Sequence, residues 1–418
     1  MDTIASEFDS RTLLGLAKIM RLAFNGDNLE QLTTQLLSRI QGDPSDAAAL
    51  LDLSVVLQLN GQTQLALELQ EEALKQQQFF RLHSNPALAS IRLLAIMGPG
   101  EVMANTPIEF LVEDSDIALE LLYLGEGIPS QSQIPEHDVA FVAVCESDRN
   151  QPLLQQLGAI MQHWPYPFIN SPANIARLSR NAVSSELSRS AGLVASNAHR
   201  LTRAEVSELA IVGNRFPLIA RPVDSHAGRG LAKLDNPSDL VSYLNTQLEA
   251  EFFIAPFIDY RSPDGWFRKY RVVVIDGQPF TSHMAISQKW MVHYLNADML
   301  QNEMNRAEEA HFMQTFDTGF AVKHRAALQE IDRLVGLAYY SMDCAETQDG
   351  RLLVFEIDSG AVVHSMDPVD IFPYKAPQME RVFAAFRQML EGRIDRSKSG
   401  VSFQLAMAEK RKLEAYAT

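Results

Sequence analysis

Asp343, Glu356 and Asp358 are the residues whose type and spacing point most directly to chemistry. They lie in the stretch 339–367, YYSMDCAETQDGRLLVFEIDSGAVVHSMD, which reads as two strands joined at Asp349-Gly350. That dipeptide is favoured in two-residue hairpin turns, where both positions need φ > 0. Such a turn pairs Arg351 with Gln348, Val354 with Ala345, and Glu356 with Asp343. Alternation along a strand then puts Glu356 and Asp358 on one face and Phe355 and Ile357 on the other. Three carboxylates converge on one patch, although like charges placed directly opposite are destabilising. Two explanations stand side by side. One is a hard divalent cation, since Mg2+ takes oxygen ligands from one or two carboxylates together with substrate phosphates. The other is a solvated acidic edge, against which the apolar neighbours LLVF and AVV suggest a mostly buried hairpin.

Positively charged side chains appear upstream. The strand FPLIARP, ending in Arg221 and Pro222, runs into the loop Ser225-His226-Ala227-Gly228-Arg229-Gly230-Leu231. Two glycines at alternate positions let backbone N–H groups wrap an anion, and Arg221 and Arg229 supply charge, although glycine-rich hairpin loops are also common for purely structural reasons. A hairpin follows from Arg268 to Ile286, turning at Asp276-Gly277, with Lys269, Arg271 and Val273 on one face and Tyr270 and Val272 on the other. Two cations on one face imply either an anion between them or solvent exposure. Trp290, His293 and Tyr294 open the Met-rich segment 288–314 and either line a substrate pocket or serve structure alone.

The rest of the chain must position these groups. Residues 10–40 have helical spacing, and Gly42-Asp43-Pro44 ends that run. Residues 47–74 resemble one tetratricopeptide repeat, with Gly61 at the turn and the small residues Ala66 and Ala73 where paired helices approach. One copy falls short of a repeat array. The helical pair reads as a peptide-docking end, a cap on a neighbouring domain, or a homodimer contact. From residue 88 the short apolar runs IRLLAIM (91–97), IEFLV (108–112), LELLYL (119–124) and DVAFVAVCES (138–147) read as strands. A covering helix over 151–164 completes an α/β layer, and another helix is expected around 180–192. Gly98-Pro99-Gly100 is a simple turn rather than a dinucleotide fingerprint.

Composition narrows the class. With 418 residues, 46% hydrophobic and 21% charged, the chain suits a soluble globular protein of several domains. The expected divisions are 1–86 (helical), 87–170 (small α/β), 171–395 (the main α/β domain) and 396–418 (a helical tail). No run of about 18 apolar residues is present, so no membrane span is expected. The N-terminus lacks a signal-peptide pattern. Cys145 and Cys344 form no CxxC pair, so a reducing cytoplasm is the expected compartment. A net charge of −16 argues against nucleic-acid binding.

Taken in order, these features resemble the ATP-grasp superfamily, in the style of glutathione synthetase and the ribosomal-protein glutamate ligases, over roughly residues 90–392. INSPANIARLSRN is similar to the family's entry to a nucleotide-contacting Lys, with Arg180 at about that position. FPLIARP resembles the strand whose phosphate-contacting Lys is here Arg221, and SHAGRGL resembles the flexible glycine-rich loop, implying His226, Gly228, Arg229 and Gly230 as phosphate neighbours. FFIAPFID is similar to the adenine hinge. There the Pro256 carbonyl accepts, Phe257 or Ile258 donates through its backbone, and Asp259 contacts ribose. KYRVVVIDGQPF looks like the next hairpin, with Lys269 near the nucleotide and Arg271 facing the transferred group. FEIDSG resembles the Glu-x-Asn metal motif, with Asp358 for Asn, Glu356 as the glutamate and Asp343 as the upstream acid.

The resemblance implies an α/β ATP-grasp fold preceded by a small α/β domain and N-terminal helical hairpins. It implies ATP and one or two Mg2+ ions (Mn2+ as substitute), with Arg221 and Arg271 as catalytic cations. It also implies ligation of a small-molecule or peptide carboxylate to an amine through an acyl-phosphate. Arg at both phosphate-contacting Lys positions and Asp for Asn set the chain apart, and the substrate does not transfer by analogy. The competing expectations are a non-catalytic nucleotide-binding scaffold and an ATP-grasp kinase.

Overall fold

A computed structural model describes residues 12–82, 89–129, 134–190, 192–209, 216–225 and 228–394. The chain is an α/β protein. It begins with four helices, α1 (Leu16–Phe24), α2 (Leu29–Gly42), α3 (Ala47–Leu59) and α4 (Thr63–Gln76). Asn28 and Asp46 cap α2 and α3 by accepting the backbone N–H of Glu30 and Ala49. Gly61, at φ 77°, turns the chain between α3 and α4, and the fully buried Ala66 and Ala73 let the pair close.

The first sheet contains β1 (Phe79–Arg81), β2 (Ile91–Met97), β3 (Ile117–Tyr123), β4 (Val139–Val142) and β5 (Phe168–Ile169) in the order β1-β3-β2-β4-β5. Apart from β1 its pairs are parallel. The run IEFLV does not add a strand. It folds as α5 (Glu109–Val112), buried on all sides. A short apolar run has the same pattern in a buried helix as in a buried strand, so periodicity could not separate them. Helix α6 (Gln151–Met161) covers one face through Leu153, Leu154 and Leu157.

Two short helices, α7 (Pro172–Ile175) and α8 (Arg180–Leu187), lead to β6 (Leu193–Ala195). The second sheet then forms from β7 (His199–Thr202), β8 (Leu218–Pro222), β9 (Ala232–Leu234) and β10 (Glu251–Pro256) in the order β7-β10-β8-β9, all antiparallel. Helices α9 (Arg203–Leu209) and α10 (Pro237–Thr246) give it a core of its own around Val206, Leu240 and Phe252. The third sheet has β11 (Phe267–Ile275), β12 (Gln278–Ser287), β13 (Tyr339–Glu346) and β14 (Leu352–Asp358), with β6 joining β14 in parallel. Between β12 and β13 come α11 (Glu303–Thr315), α12 (Phe320–Lys323) and α13 (Arg325–Val335). Residues 375–394 form a further helix.

The apolar cores of the first and third sheets are continuous. Val273, Ile275 and Tyr339 pack with Leu93, Phe141 and the Met379–Phe386 stretch of the last helix on one side. Tyr340, Met342 and Val354 pack with Ile96, Val142 and Ile331 on the other. The segment 87–170 therefore shares its interior with the third sheet, whereas the second sheet keeps a separate core. The tail 396–418 lies outside the described residues.

Helix α1 is held in place by two buried acids that the sequence reading did not single out. Asp52 of α3 accepts from the N–H groups of Leu14 and Gly15, and Glu109 of α5 accepts from that of Ala17. Gly15 sits at φ 91°, and a Cβ there would lie 2.6 Å from Glu109 Oε2, so only glycine fits. On the far side, Ala17 packs with Phe110 and Met366, and Arg21 pairs with Glu113. The first helix thus caps α5 and the chain that follows β14.

Burial raises the pKa of both Asp52 and Glu109 to about 7, against the backbone bonds that favour their anions. The folded protein then binds more protons than the unfolded chain between roughly pH 4 and 7, so stability falls as pH rises through that window and levels above it. Asp52→Asn removes a penalty on the order of 4 kcal/mol at pH 8. Urea unfolding midpoints from pH 5 to 8 should decline less in this variant than in the wild type; parallel curves would contradict the assignment.

Candidate functional site

The carboxylate hairpin forms with a different turn from the one expected. Asp276 and Gly277, at φ 47° and 75°, make a two-residue turn between Ile275 and Gln278. At the second Asp-Gly only Gly350 takes positive φ, and Thr347, not Gln348, faces Arg351 across a three-residue loop. Side chains select it. The Thr347 hydroxyl accepts the Arg351 N–H at 3.0 Å, and the Asp349 carboxylate accepts the Arg351 Nε at 2.8 Å. The register is therefore one residue off near the turn, with Ala345 opposite Leu353. A bulge at Phe355 restores it, so that Asp343 faces Glu356 as expected and Ser341 faces Asp358. The bulge also separates Phe355 from Ile357. Phe355 packs with Tyr260 and Leu353 on the carboxylate face, and Ile357 enters the core on the opposite one.

Side-chain cations of the chain itself answer two of the three acids, and a backbone N–H answers the third. Asp343, 4% exposed, accepts from Arg271 Nε at 2.8 Å, from Arg271 Nη2 at 3.1 Å and from Lys269 Nζ at 2.8 Å. Burial opposes its ionisation, but Arg271 and Lys269 outweigh burial and hold its carboxyl far below the usual range. Glu356 accepts from Arg180 at the start of α8. Burial and Asp343 act against its charge, yet Arg180, Arg221 and Lys269 keep it below the ordinary glutamate value. Asp358 accepts the Gly360 N–H at 2.7 Å. Among the described residues no group of three or more His, Cys, Asp or Glu side chains is arranged to hold a metal ion. The acids expected to hold Mg2+ or Mn2+, Asp343, Glu356 and Asp358, are thus not gathered as a three-ligand group, although their oxygen donors still suit a Mg2+ site of one or two carboxylates completed by substrate phosphates. Both Asp343 oxygens are committed to cations, and the repulsion that called for a metal is already offset.

Arg221, at the end of β8, is treated differently. Its guanidinium bonds only to Ser225, through the hydroxyl at 3.2 Å and the carbonyl, among the described residues. Burial and the neighbouring Arg180 push its pKa down to about 10, while Glu356 opposes the shift. It stays charged at neutral pH but lacks a carboxylate of its own. Arg180, Arg221, Lys269 and Arg271 thus gather around Asp343 and Glu356, while Asp358 stands within electrostatic range of a further acid, Glu146.

The remaining expected nucleotide contacts are mixed. Gly228 and Gly230 adopt φ 75° and 67°, and a Cβ at Gly230 would strike Pro222 at 2.6 Å, so the loop must turn on glycine here. Tyr243 fixes its end by donating to the Gly230 carbonyl at 2.8 Å, and Arg229 is exposed. His226 lies outside the described residues. At the hinge, the Phe257 N–H is spent on the Pro217 carbonyl at 3.0 Å, so it has none to offer adenine. The Pro256 carbonyl and the Ile258 N–H remain the pair for that role. Asp259 is gripped by Arg261 through both oxygens, which makes a ribose contact compete with an ion pair.

His283 was missed. It sits on β12 opposite Arg271, its ring 4.8 Å from that of Tyr294. Burial, Arg271 and Lys375 keep its imidazole neutral. Tyr294 in turn donates to Glu309 at 2.9 Å, and Glu309 also accepts from Tyr374 and the Met284 N–H. The register of the 276–277 hairpin by itself would set Ser282 opposite Arg271; a bulge next to Arg271 brings His283 there instead, so hairpin register alone does not reveal it. His293, half-buried, is also kept below its ordinary pKa by burial, Lys269 and Arg271.

No protein-family model matches the chain. No curated protein matches it either. Among solved structures it is similar to a D-alanine-D-alanine ligase from Coxiella burnetii, with 10% identity and a TM-score of 0.46 over 76% of this chain and 99% of that one. It is similar to a D-alanine–D-alanine ligase from Bacillus anthracis, with 17% identity and a TM-score of 0.45 over 74% and 99%. A RimK domain ATP-grasp protein from Sphaerobacter thermophilus gives 16% and 0.40 over 69% and 99%. Likenesses of this degree assign no activity, and the functional reading rests on the site itself.

The Asp343 clamp makes a direct prediction. Asp343→Asn leaves Lys269 and Arg271 without their buried counter-charge and should destabilise the protein by about 3 kcal/mol in EDTA. Urea unfolding measures this. A metal-ligand role for Asp343 instead predicts an unchanged or more stable metal-free protein.

Proposed function

We propose that the chain is an ATP-dependent carboxylate–amine ligase of the ATP-grasp type. One observation carries the reading: Arg180 is bonded to Glu356 of β14, and a second guanidinium, Arg221 of β8, stands within electrostatic reach of both while bonded only to Ser225 among the described residues. Guanidinium forks match phosphate oxygens in pairs. Four cations around the Asp343–Glu356 pair, in a chain of net charge −16, are the arrangement expected of an anion site.

The adenine would lie against the 256–258 hinge, held by the Pro256 carbonyl and the Ile258 N–H beside Phe355 and Leu353. The triphosphate would run toward Arg221, Arg180 and the Gly228–Gly230 backbone. A substrate carboxylate oxygen attacks the γ-phosphorus, and the bond to the β-phosphate oxygen breaks, its electron pair leaving with ADP. Arg180 and Arg221 stabilise the charge that spreads over the transferred group. The amine then attacks the carbonyl carbon of the acyl-phosphate. The carbon–oxygen bond breaks toward phosphate, and the proton lost by nitrogen passes to a neutral base. His283, although neutral and opposite Arg271, is a poor candidate for that base, because burial and the nearby cations oppose its protonation. Exclusion of water from an intermediate that hydrolyses readily is the role this reading gives the 225–231 loop, of which residues 226 and 227 lie outside the described residues.

The commitment of all three carboxylates to groups of the chain favours one alternative, a nucleotide-binding protein without catalysis. ADP release on adding panels of small carboxylic acids, peptides and amines, with mass analysis of the products, separates the two. An amide product with stoichiometric ADP supports the ligase, and nucleotide binding with no turnover across the panels supports the alternative. Nucleotide binding is tested first. ATP at roughly 100 times its dissociation constant should add about 2.7 kcal/mol of stability, read as a rise in Tm. Arg221→Ala should abolish most of that rise. Arg221→Lys should retain part of it if charge alone matters, and none if two parallel hydrogen bonds are required.

A further inference from the structure

The ion pairs of the site fall into two grades. Asp343 is almost fully buried and held on both oxygens by Lys269 and Arg271, whose side chains are 15% and 21% exposed. Breaking that clamp would strand buried charge. The Arg180–Glu356 pair is different, since its side chains are 26% and 29% exposed and it rests on one guanidinium nitrogen and one carboxylate oxygen. Arg180 opens α8 and belongs to no apolar core, so its guanidinium can turn away from Glu356 without disturbing one. Arg221 stands within electrostatic reach of both, bonded among the described residues to Ser225 alone. A polyphosphate arriving at Arg221 therefore meets a second guanidinium whose present partner carries one negative charge against the three or four of a nucleoside triphosphate. Exchange is favoured by charge and by the fork geometry of two guanidinium groups on one chain of phosphates.

We propose that Arg180 is the resident counter-ion of Glu356, and that a nucleoside triphosphate is taken up as the metal-free polyanion by transfer of Arg180 from Glu356 to the phosphates. This rests on the nucleotide reading above and departs from it in one respect. The cation that first neutralises the phosphates is supplied by the protein, where the resemblance to ATP-grasp enzymes implies a divalent ion. Glu356 is then a competitor for Arg180 in the empty site. Removing its charge should tighten metal-free binding, the reverse of what a metal ligand would do.

Isothermal titration calorimetry on the full chain, with ATP in EDTA, ATP in excess Mg2+, and Mg2+ alone, tests this. In the wild type ATP should bind in EDTA with an affinity within about threefold of that in Mg2+, and Mg2+ alone should give no binding heat. Arg180→Ala should weaken binding in EDTA by about tenfold or more. Glu356→Gln keeps side-chain volume and the Asp343 clamp, and should strengthen binding in EDTA by about threefold or more. Binding that needs Mg2+ in the wild type overturns the inference while leaving the nucleotide reading intact. So does a Glu356→Gln variant that binds metal-free ATP more weakly than the wild type. Absence of ATP binding in both buffers overturns the nucleotide reading and the inference with it.

Discussion

Charge on the carboxylate face of the third sheet has to be neutralised, and the way this is done sets much of the surrounding architecture. Asp343 faces Glu356 across a strand pair, with Asp358 two residues further along. The neutralising groups come from β11, one strand over, and from α8, far away in sequence. Lys269 and Arg271 reach Asp343 because they share a face of β11 and Arg271 pairs directly opposite it. Arg180 reaches Glu356 because β6, just after α8, joins the third sheet beside β14. That parallel crossover brings the start of α8 to the carboxylates. A sheet without β6 would leave Glu356 facing Asp343 with no neighbouring cation on its other side.

The same face is supported from behind by the first sheet and the N-terminal helices. The Thr106 hydroxyl donates to the Ser359 carbonyl at 2.9 Å, and the Asn170 amide bonds the Tyr339 backbone in both directions. Lys375, nearly buried, joins Asp367 at 3.0 Å and lies over the Tyr294 ring. Beyond these, Ala17 of α1 packs against Met366. The chain leaving β14 is thus fixed at several points by elements from both ends of the sequence. Arg221 and the glycine-bearing loop belong to the second sheet, whose apolar core is separate.

The sequence made the third sheet legible where local rules decide. Alternation identified the faces of β11, and Asp276-Gly277 took the two-residue turn its composition favours. The second Asp-Gly followed a different rule, because Thr347 and Arg351 close a longer loop with side-chain bonds. The bulge at Phe355 then restored the Asp343–Glu356 pairing that a two-residue turn had implied, so a correct contact was reached through an incorrect register. What could not be read were the partners. The cations that serve Asp343 and Glu356 lie 72 to 176 residues away in sequence, and only the topology brings them together. Asp52 and Glu109 did leave a trace, as single acids inside the apolar runs AALLDLSVVL and IEFLV. A charge in such a run implies a buried partner, here the N–H groups at the start of α1.

The account turns on which cations answer the carboxylates when a nucleotide is present. A crystal structure of the full chain with a non-hydrolysable ATP analogue, grown in EDTA, would settle it most directly. The account predicts phosphate oxygens between Arg180 and Arg221, with Glu356 released from Arg180 and Asp343 still held by Lys269 and Arg271. An analogue bound elsewhere, or one bound with Arg180 still on Glu356 and Lys269 or Arg271 drawn off Asp343, would contradict it.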